Sequence, residues 1–233
     1  RLWTISGASG ILNDGAGSLN LSGGASFTPG NPVDSLTLGG SFAGVSNYSG
    51  IISGTGDLIG NGAGTWVLGG ANDFVGTVTV NAGTLQAGSA SAFGAATGFI
   101  VNGGTLDLGG YDLTAPSLTG TGGSVALGAS TLTVEALDAQ SYAGSITGTG
   151  GLRKVGAGSL SLTGASSYTG ATTIAGGKLA LDFSGAGSPA ANIISGSSSL
   201  VLSGGTLEVI GATGATNNQT FNGMTVSAGS NTV

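Results

Sequence analysis

The chain contains no cysteine and no histidine, only four prolines, and charged side chains at just 6% of its 233 residues. Without histidine or cysteine there is no imidazole or thiolate for a Ser-His-Asp triad, a thiol nucleophile or a zinc centre. Without cysteine there is also no disulfide. That fits the cytosol, and equally a secreted chain that crosses a membrane unfolded, where a disulfide would close a loop before transit. The four cations are Arg1, Arg153, Lys154 and Lys178, against ten carboxylates, for a net charge of −6. Four scattered cations cannot neutralise a run of phosphates, so nucleic-acid binding is excluded. Attraction to an anionic membrane surface fails for the same reason. No apolar run approaches the ~18 residues of a membrane-spanning helix, so no membrane insertion of this segment is expected. The chain opens Arg1-Leu2-Trp3-Thr4-Ile5, already strand-like, with no initiator Met and no leader. It is expected to be a stretch of a longer protein.

What is abundant is glycine, at 50 residues, well above the usual ~7%. Glycine does not recur at every third position, which excludes collagen. Hydrophobic residues at 39% provide apolar surface to bury, which argues against disorder. The remaining reading is an ordered β structure with a Gly-rich turn every few residues.

Internal repeats decide its architecture. Residues 48–87 slide 94 positions, without a gap, onto 142–181. Tyr48/Tyr142, Gly54/Gly148, Leu58/Leu152, Gly62/Gly156, Leu68/Leu162, Thr79/Thr173 and Leu85/Leu179 are identical pairs. A partial copy over residues 6–24 lies 47 positions before the first, with Gly15-Ala16-Gly17-Ser18-Leu19 matching Gly62-Ala63-Gly64-Thr65-Trp66. Short segments such as Thr77-Val78-Thr79-Val80, Thr105-Leu106-Asp107-Leu108 and Ser159-Leu160-Ser161-Leu162 alternate polar and apolar with period 2, the pattern of strands with one buried face. Strand starts after Gly64, Gly83, Gly104 and Gly123 are almost evenly spaced, as the rungs of a solenoid are. The chain therefore reads as all-β: a right-handed parallel β-helix of roughly eleven coils of about 20 residues, continuous over 1–233. A hairpin-built sandwich is the competing fold, and Asp14-Gly15, Asn61-Gly62, Asn102-Gly103 and Asn222-Gly223 are turn signals it could use.

Residues 156–179, Gly-Ala-Gly-Ser-Leu-Ser-Leu-Thr-Gly-Ala-Ser-Ser-Tyr-Thr-Gly-Ala-Thr-Thr-Ile-Ala-Gly-Gly-Lys-Leu, closely resemble the passenger-associated β-strand repeat of bacterial autotransporters. Lys154 supplies the lysine that precedes the first strand of that repeat. Gly62 to Leu85 fits as well, with Trp66 and Phe74 in place of Leu and Tyr, and without the leading lysine. The resemblance is strong over the two repeat copies and diffuse over the rest of the chain. It implies a type V secretion passenger, exported through an outer-membrane translocator barrel that is not in this chain and then displayed at the cell surface or secreted. It also implies a structural or adhesive stalk, with a host or abiotic surface, or other copies of itself, as partners.

Two other functions compete: a β-helical polysaccharide-active enzyme, and a self-assembling extracellular filament or surface-layer subunit. A glycosidase needs two carboxylates about 5 to 9.5 Å apart. The pairs nearest one coil spacing are Asp57/Asp73 and Asp112/Glu135, and Arg153 and Lys154 fall one coil after Glu135 and Asp138. Calcium is a further candidate, through Gly69-Gly70-Ala71-Asn72-Asp73 and Gly54-Thr55-Gly56-Asp57, imperfect single matches to a calcium-binding β-roll repeat. Asp73 becomes Ser167 and Asp57 becomes Gly151 in the second copy, so both read as turn residues. Thr77/Thr79 and Thr131/Thr133 could belong to a flat ice-binding row, but the rows do not persist. Tyr48, Phe74, Tyr142 and Tyr168 sit at equivalent positions and could mark an adhesive patch, although packing over a bend is the simpler reading. Trp66 replaces Leu160 and is expected in the core; Trp3 matches its register only loosely. The expectation is thus no catalytic, cofactor or metal residue, and charges that are solvated.

Overall fold

The computed structural model describes residues 2–29, 31, 33–227 and 229–233. Arg1 therefore lies outside the described residues. No helix occurs among them. They fall into two compact units, Arg1–Tyr111 and Asp112–Val233. Each is a parallel β-solenoid, and together they make about eleven turns.

In the first unit, Asp57–Leu68 receives Ser35–Gly40 and Val45–Tyr48 on one side and Thr77–Ala87 on the other, all parallel. Ser35 registers with Asp57, Leu58 with Val78, and Thr84 with Thr105, so these coils keep the expected length. Asn20 registers with Asn47, and Asn47 with Val67. One longer coil followed by one shorter coil therefore makes up the offset between the partial copy and the first full one.

The second unit repeats this arrangement. Leu113, Leu132, Leu152, Thr172, Leu200 and Met224 form one column, and Gln140, Leu160, Leu179 and Leu207 another. Every strand pairing described within the units is parallel, which disposes of the hairpin sandwich. Asp14-Gly15, Asn102-Gly103 and Asn222-Gly223 lie at bends rather than hairpins, and Asn61-Gly62 lies inside the strand Asp57–Leu68. The short rung holds through the middle of each unit. It lengthens between Thr172 and Leu200, where the extra chain brings its own buried residues, Phe183, Ile193 and Ile194.

Period-2 alternation and parallel register produce the core together. Thr77–Ala87 buries Val78, Val80, Leu85 and Ala87 and turns the residues between them outward. One coil away lie residues of the same kind, so Leu36, Leu58, Val78 and Phe99 stack as a buried column. Each such side chain contributes roughly 1.5–3 kcal/mol through removal from water. No coil can do this alone, because half of each inward surface is covered by the next coil.

Glycine is required where coils close on one another. Gly83 and its equivalent Gly177 have φ of +62° and +56°, and an added Cβ would sit 2.3 Å from Gly62 O and 2.2 Å from Gly158 O respectively. No L-side chain fits there.

Leu85→Ala is expected to destabilise the fold by about 2–5 kcal/mol. The outward neighbour Thr84→Ala should change it by less than about 0.5 kcal/mol. Urea unfolding followed by far-UV circular dichroism separates the two.

Candidate functional site

The acidic residues fold into the corners, and most are committed to the backbone. Asp57 Oδ1 accepts the Thr77 amide at 2.7 Å, Asp112 Oδ1 the Thr131 amide at 2.7 Å, and Asp14 Oδ1 the Ser41 amide at 2.8 Å. In each case a carboxylate at one corner caps a backbone amide on the next coil. Asp34 is 1% exposed. It accepts the amides of Gly7 at 2.6 Å and Thr28 at 2.8 Å, and the Asn31 side-chain amide at 2.5 Å. The expectation of a solvated charge fails at this residue. Three donors replace its lost water, which is what a buried carboxylate requires.

The carboxylate pairs weighed from spacing do not face each other. Asp57 registers with Ser35 and bonds to Thr77, not to Asp73. Leu113 registers with Leu132 and Ala115 with Val134, which leaves Asp112 beside Thr131 rather than Glu135. Asp73, Glu135 and Asp138 are exposed.

The basic residues separate too. Arg153 points outward from its strand, between Thr133 and Thr173. Lys154 points inward and is 0% exposed, so it too departs from the solvated-charge expectation. Desolvation lowers its pKa below the ordinary lysine value. With the lysine inside and Glu135 and Asp138 outside, the base-and-acid constellation of a β-helical lyase does not form. Lys178 meets Glu208 at 2.7 Å, an exposed ion pair worth about 0–1 kcal/mol.

The calcium and ice-binding candidates resolve in the same direction. Asn72 is buried. Its Oδ1 accepts the Ile52 amide at 2.8 Å, and its Nδ2 donates to Ala92 O at 2.6 Å, so it joins the coils on either side. At the equivalent position of the second copy, Ser166 Oγ accepts the Ile146 amide at 3.1 Å. Two different side chains thus satisfy the same amide. No group of three or more metal-ligating side chains occurs among the described residues. Thr79 lies between Ile59 and Ile100, and the pair Thr114 and Thr133 is ended by Arg153, so no threonine row persists at these positions.

The repeat aromatics are core. Tyr48, Phe74, Tyr142 and Tyr168 are all 0% exposed, and Trp66 is buried with its Nε1 donating to Gly39 O at 3.2 Å. Tyr168 OH and Thr172 Oγ1 share a 2.6 Å hydrogen bond, and Thr172 Oγ1 lies 2.9 Å from Ser198 Oγ, which donates to Gly170 O. Thr172 stands where the first copy has Val78, so the second copy holds a buried hydroxyl chain that periodicity alone does not reveal. Tyr48 OH has no partner, and burial pushes its pKa up to about 12. Burial likewise raises Tyr142 and Tyr168. A shallow groove of about 560 Å³ is lined by Leu2, Ser22, Ser49, Ile51 and Asp73 among others, and Asp73 is the charged residue described in that lining.

A parallel solenoid whose polar side chains serve its own backbone belongs to the structural class of repeat proteins. The passenger-associated-transport-repeat family matches it twice, over residues 58–87 and 152–181. The adhesin BmaC autotransporter of Brucella suis biovar 1 (strain 1330) is 50% identical over 227 residues, 96% of this chain. The chain spans about 6% of that relative's length. No solved structure matches it. Over residues 58–87 and 152–181 the chain carries the passenger-associated transport repeat, and over most of its length it is similar to an autotransporter passenger, a kind of segment displayed at the bacterial surface or secreted.

Asn72→Ala should cost about 1–3 kcal/mol by orphaning the Ile52 amide. Asp73→Ala, next to it but outward, should stay within about 0.5 kcal/mol in the same thermal melts. The tyrosines set an alkaline limit. Their pKa values are raised in the folded state, so their contribution is complete below the ordinary value near 10 and is lost as pH climbs toward 12. Melting temperature against pH should fall in that window, and phenolate absorbance should appear together with unfolding.

Proposed function

We propose that this segment is a non-enzymatic, adhesive stretch of a surface-displayed passenger stalk. The observation that carries this reading is the commitment of its polar groups. Seven of the ten carboxylates hold a hydrogen bond or ion pair within the solenoid itself, as Asp57, Asp112, Asp34 and Glu208 illustrate. The side chains left outward carry few charges: Thr, Ser and Asn beside small Ala, with scattered apolar residues such as Val45, Ile51 and Leu137. Such a surface offers weak contacts repeated coil after coil rather than one chemical centre. The relative over which 96% of this chain aligns is named an adhesin, and adhesion comes to this chain from that likeness. In the complete protein the partner on the export side is an outer-membrane translocator barrel. On the outside the partner is a host or abiotic surface.

In-frame deletion of residues 1–233 from the complete protein, in a bacterium that displays it, tests this. Attachment to host cells or to an abiotic surface should fall several-fold while the amount of passenger at the surface is unchanged. Full attachment with normal display would end the adhesive reading. Polysaccharide turnover by the purified segment, abolished by Glu135→Gln or Asp138→Asn, would replace it with the enzymatic one.

A further inference from the structure

One inward column of the second unit runs Ala115, Val134, Lys154, Ile174 and Leu202. An ammonium among aliphatic side chains costs several kcal/mol unless its donors are satisfied. Lys154 Nζ donates to Val155 O at 2.5 Å, Gly156 O at 3.0 Å and Gly176 O at 3.3 Å. These three carbonyls use all three ammonium donors. Two belong to the corner that follows Lys154 and the third to the corner above it on the next coil. No carboxylate among the described residues pairs with this lysine; the ion pair there is Lys178 with Glu208.

The first repeat copy provides the comparison, because its equivalent of Lys154 is Gly60. There the strand continues through the corner, from Asp57 to Leu68 and on the next coil from Thr77 to Ala87, although the register between the two shifts at Gly60/Asn61 and Asn61/Thr65. In the second copy both strands are broken. Leu152–Lys154 and Ser159–Leu162 lie in separate sheets, as do Thr172–Ile174 and Lys178–Asp182. Gly156 takes φ +77°, whereas its equivalent Gly62 does not enter the left-handed region. The lysine binds carbonyls of these two coils; the coil above them, Leu200–Leu202 and Thr206–Ile210, is divided between the same two sheets.

We propose that Lys154 is a corner pin: its ammonium is the internal ligand of three carbonyl oxygens and folds each rung of the second repeat from one broad strand into two faces. The coil below, Leu132–Val134 and Gln140–Tyr142, is also bent and carries no lysine. The competing explanation is therefore that the bend is copied upward from that coil and the lysine is merely accommodated.

Lys154→Met keeps the length and removes the charge. The amides of Gly158 and Lys178, which bridge these corners, should exchange with solvent at least about tenfold faster, while the strand amide of Leu160 stays within about twofold. Unchanged corner exchange in a folded Lys154→Met protein would mean that the bend is copied from below, and would overturn the proposal. A second readout needs no variant. In the wild-type protein the Lys154 ammonium should give a slowly exchanging proton–nitrogen NMR signal at neutral pH, where exposed Lys178 gives none. Equally fast exchange at the two lysines would overturn it as well, even if the methionine variant fails to fold.

Discussion

Everything in this molecule depends on parallel register between a coil and the next. Strands about 4.8 Å apart with a side-chain period of two place each inward residue on an inward residue of the coil before it. Leu36, Leu58, Val78 and Phe99 make one such column, and Leu132, Leu152, Thr172 and Leu200 another. A slip of one residue would turn every one of them to solvent. The composition of the chain serves to keep that register. Small residues let corners close, alternation keeps one face dry, and few charges compete for the interior.

The matched repeat is the smallest piece that contains such an interface. Residues 58–87 hold Leu58 and Val78, and Trp66 and Leu85, which register with each other. Residues 152–181 hold Leu152 and Thr172, and Leu160 and Leu179, in the same relation. One repeat thus spans a coil and a half and pairs with itself across a single short coil. Elsewhere the solenoid needs longer coils, as between Asn20 and Asn47 or between Thr172 and Leu200. Closing the shorter loop costs less entropy, although only by a few tenths of a kcal/mol. The larger gain is that both sides of the interface come from one sequence unit and need no distant partner.

The polar residues extend the same principle to the corners. Where a coil turns, amides lose their ladder partners and must find others. Asp57, Asp112, Asp14 and buried Asp34 accept them, Asn72 and Ser166 satisfy equivalent amides with different chemistry, and Lys154 supplies donors to surplus carbonyls. Polar identity drifts between copies because any side chain of suitable reach can satisfy the backbone. The apolar frame drifts far less, because it is the interface, and where it does, as at Thr172 in place of Val78, the new polar group finds buried partners.

The sequence by itself determined the class of fold, the length of the short coil, the resemblance to a family and the core place of Trp66, and it favoured packing for the repeat tyrosines. All of these follow from local periodicity and from comparison of two copies, and both are properties of the linear chain. It also showed that Asp57 and Asp73 are discarded between copies. What it could not show was direction at the corners. Asp34 read as a solvated charge because a corner has no period of two, whereas Lys154 lies in phase with inward Leu152 on its strand and read as solvated only because of its charge. The bonds of Asn72 to Ile52 and Ala92, and the hydroxyl chain from Tyr168 to Ser198, join residues from neighbouring coils. Only the stacking of coils brings such groups within hydrogen-bonding distance, and only there does the need to satisfy a buried amide or carbonyl decide which polar side chain goes inside.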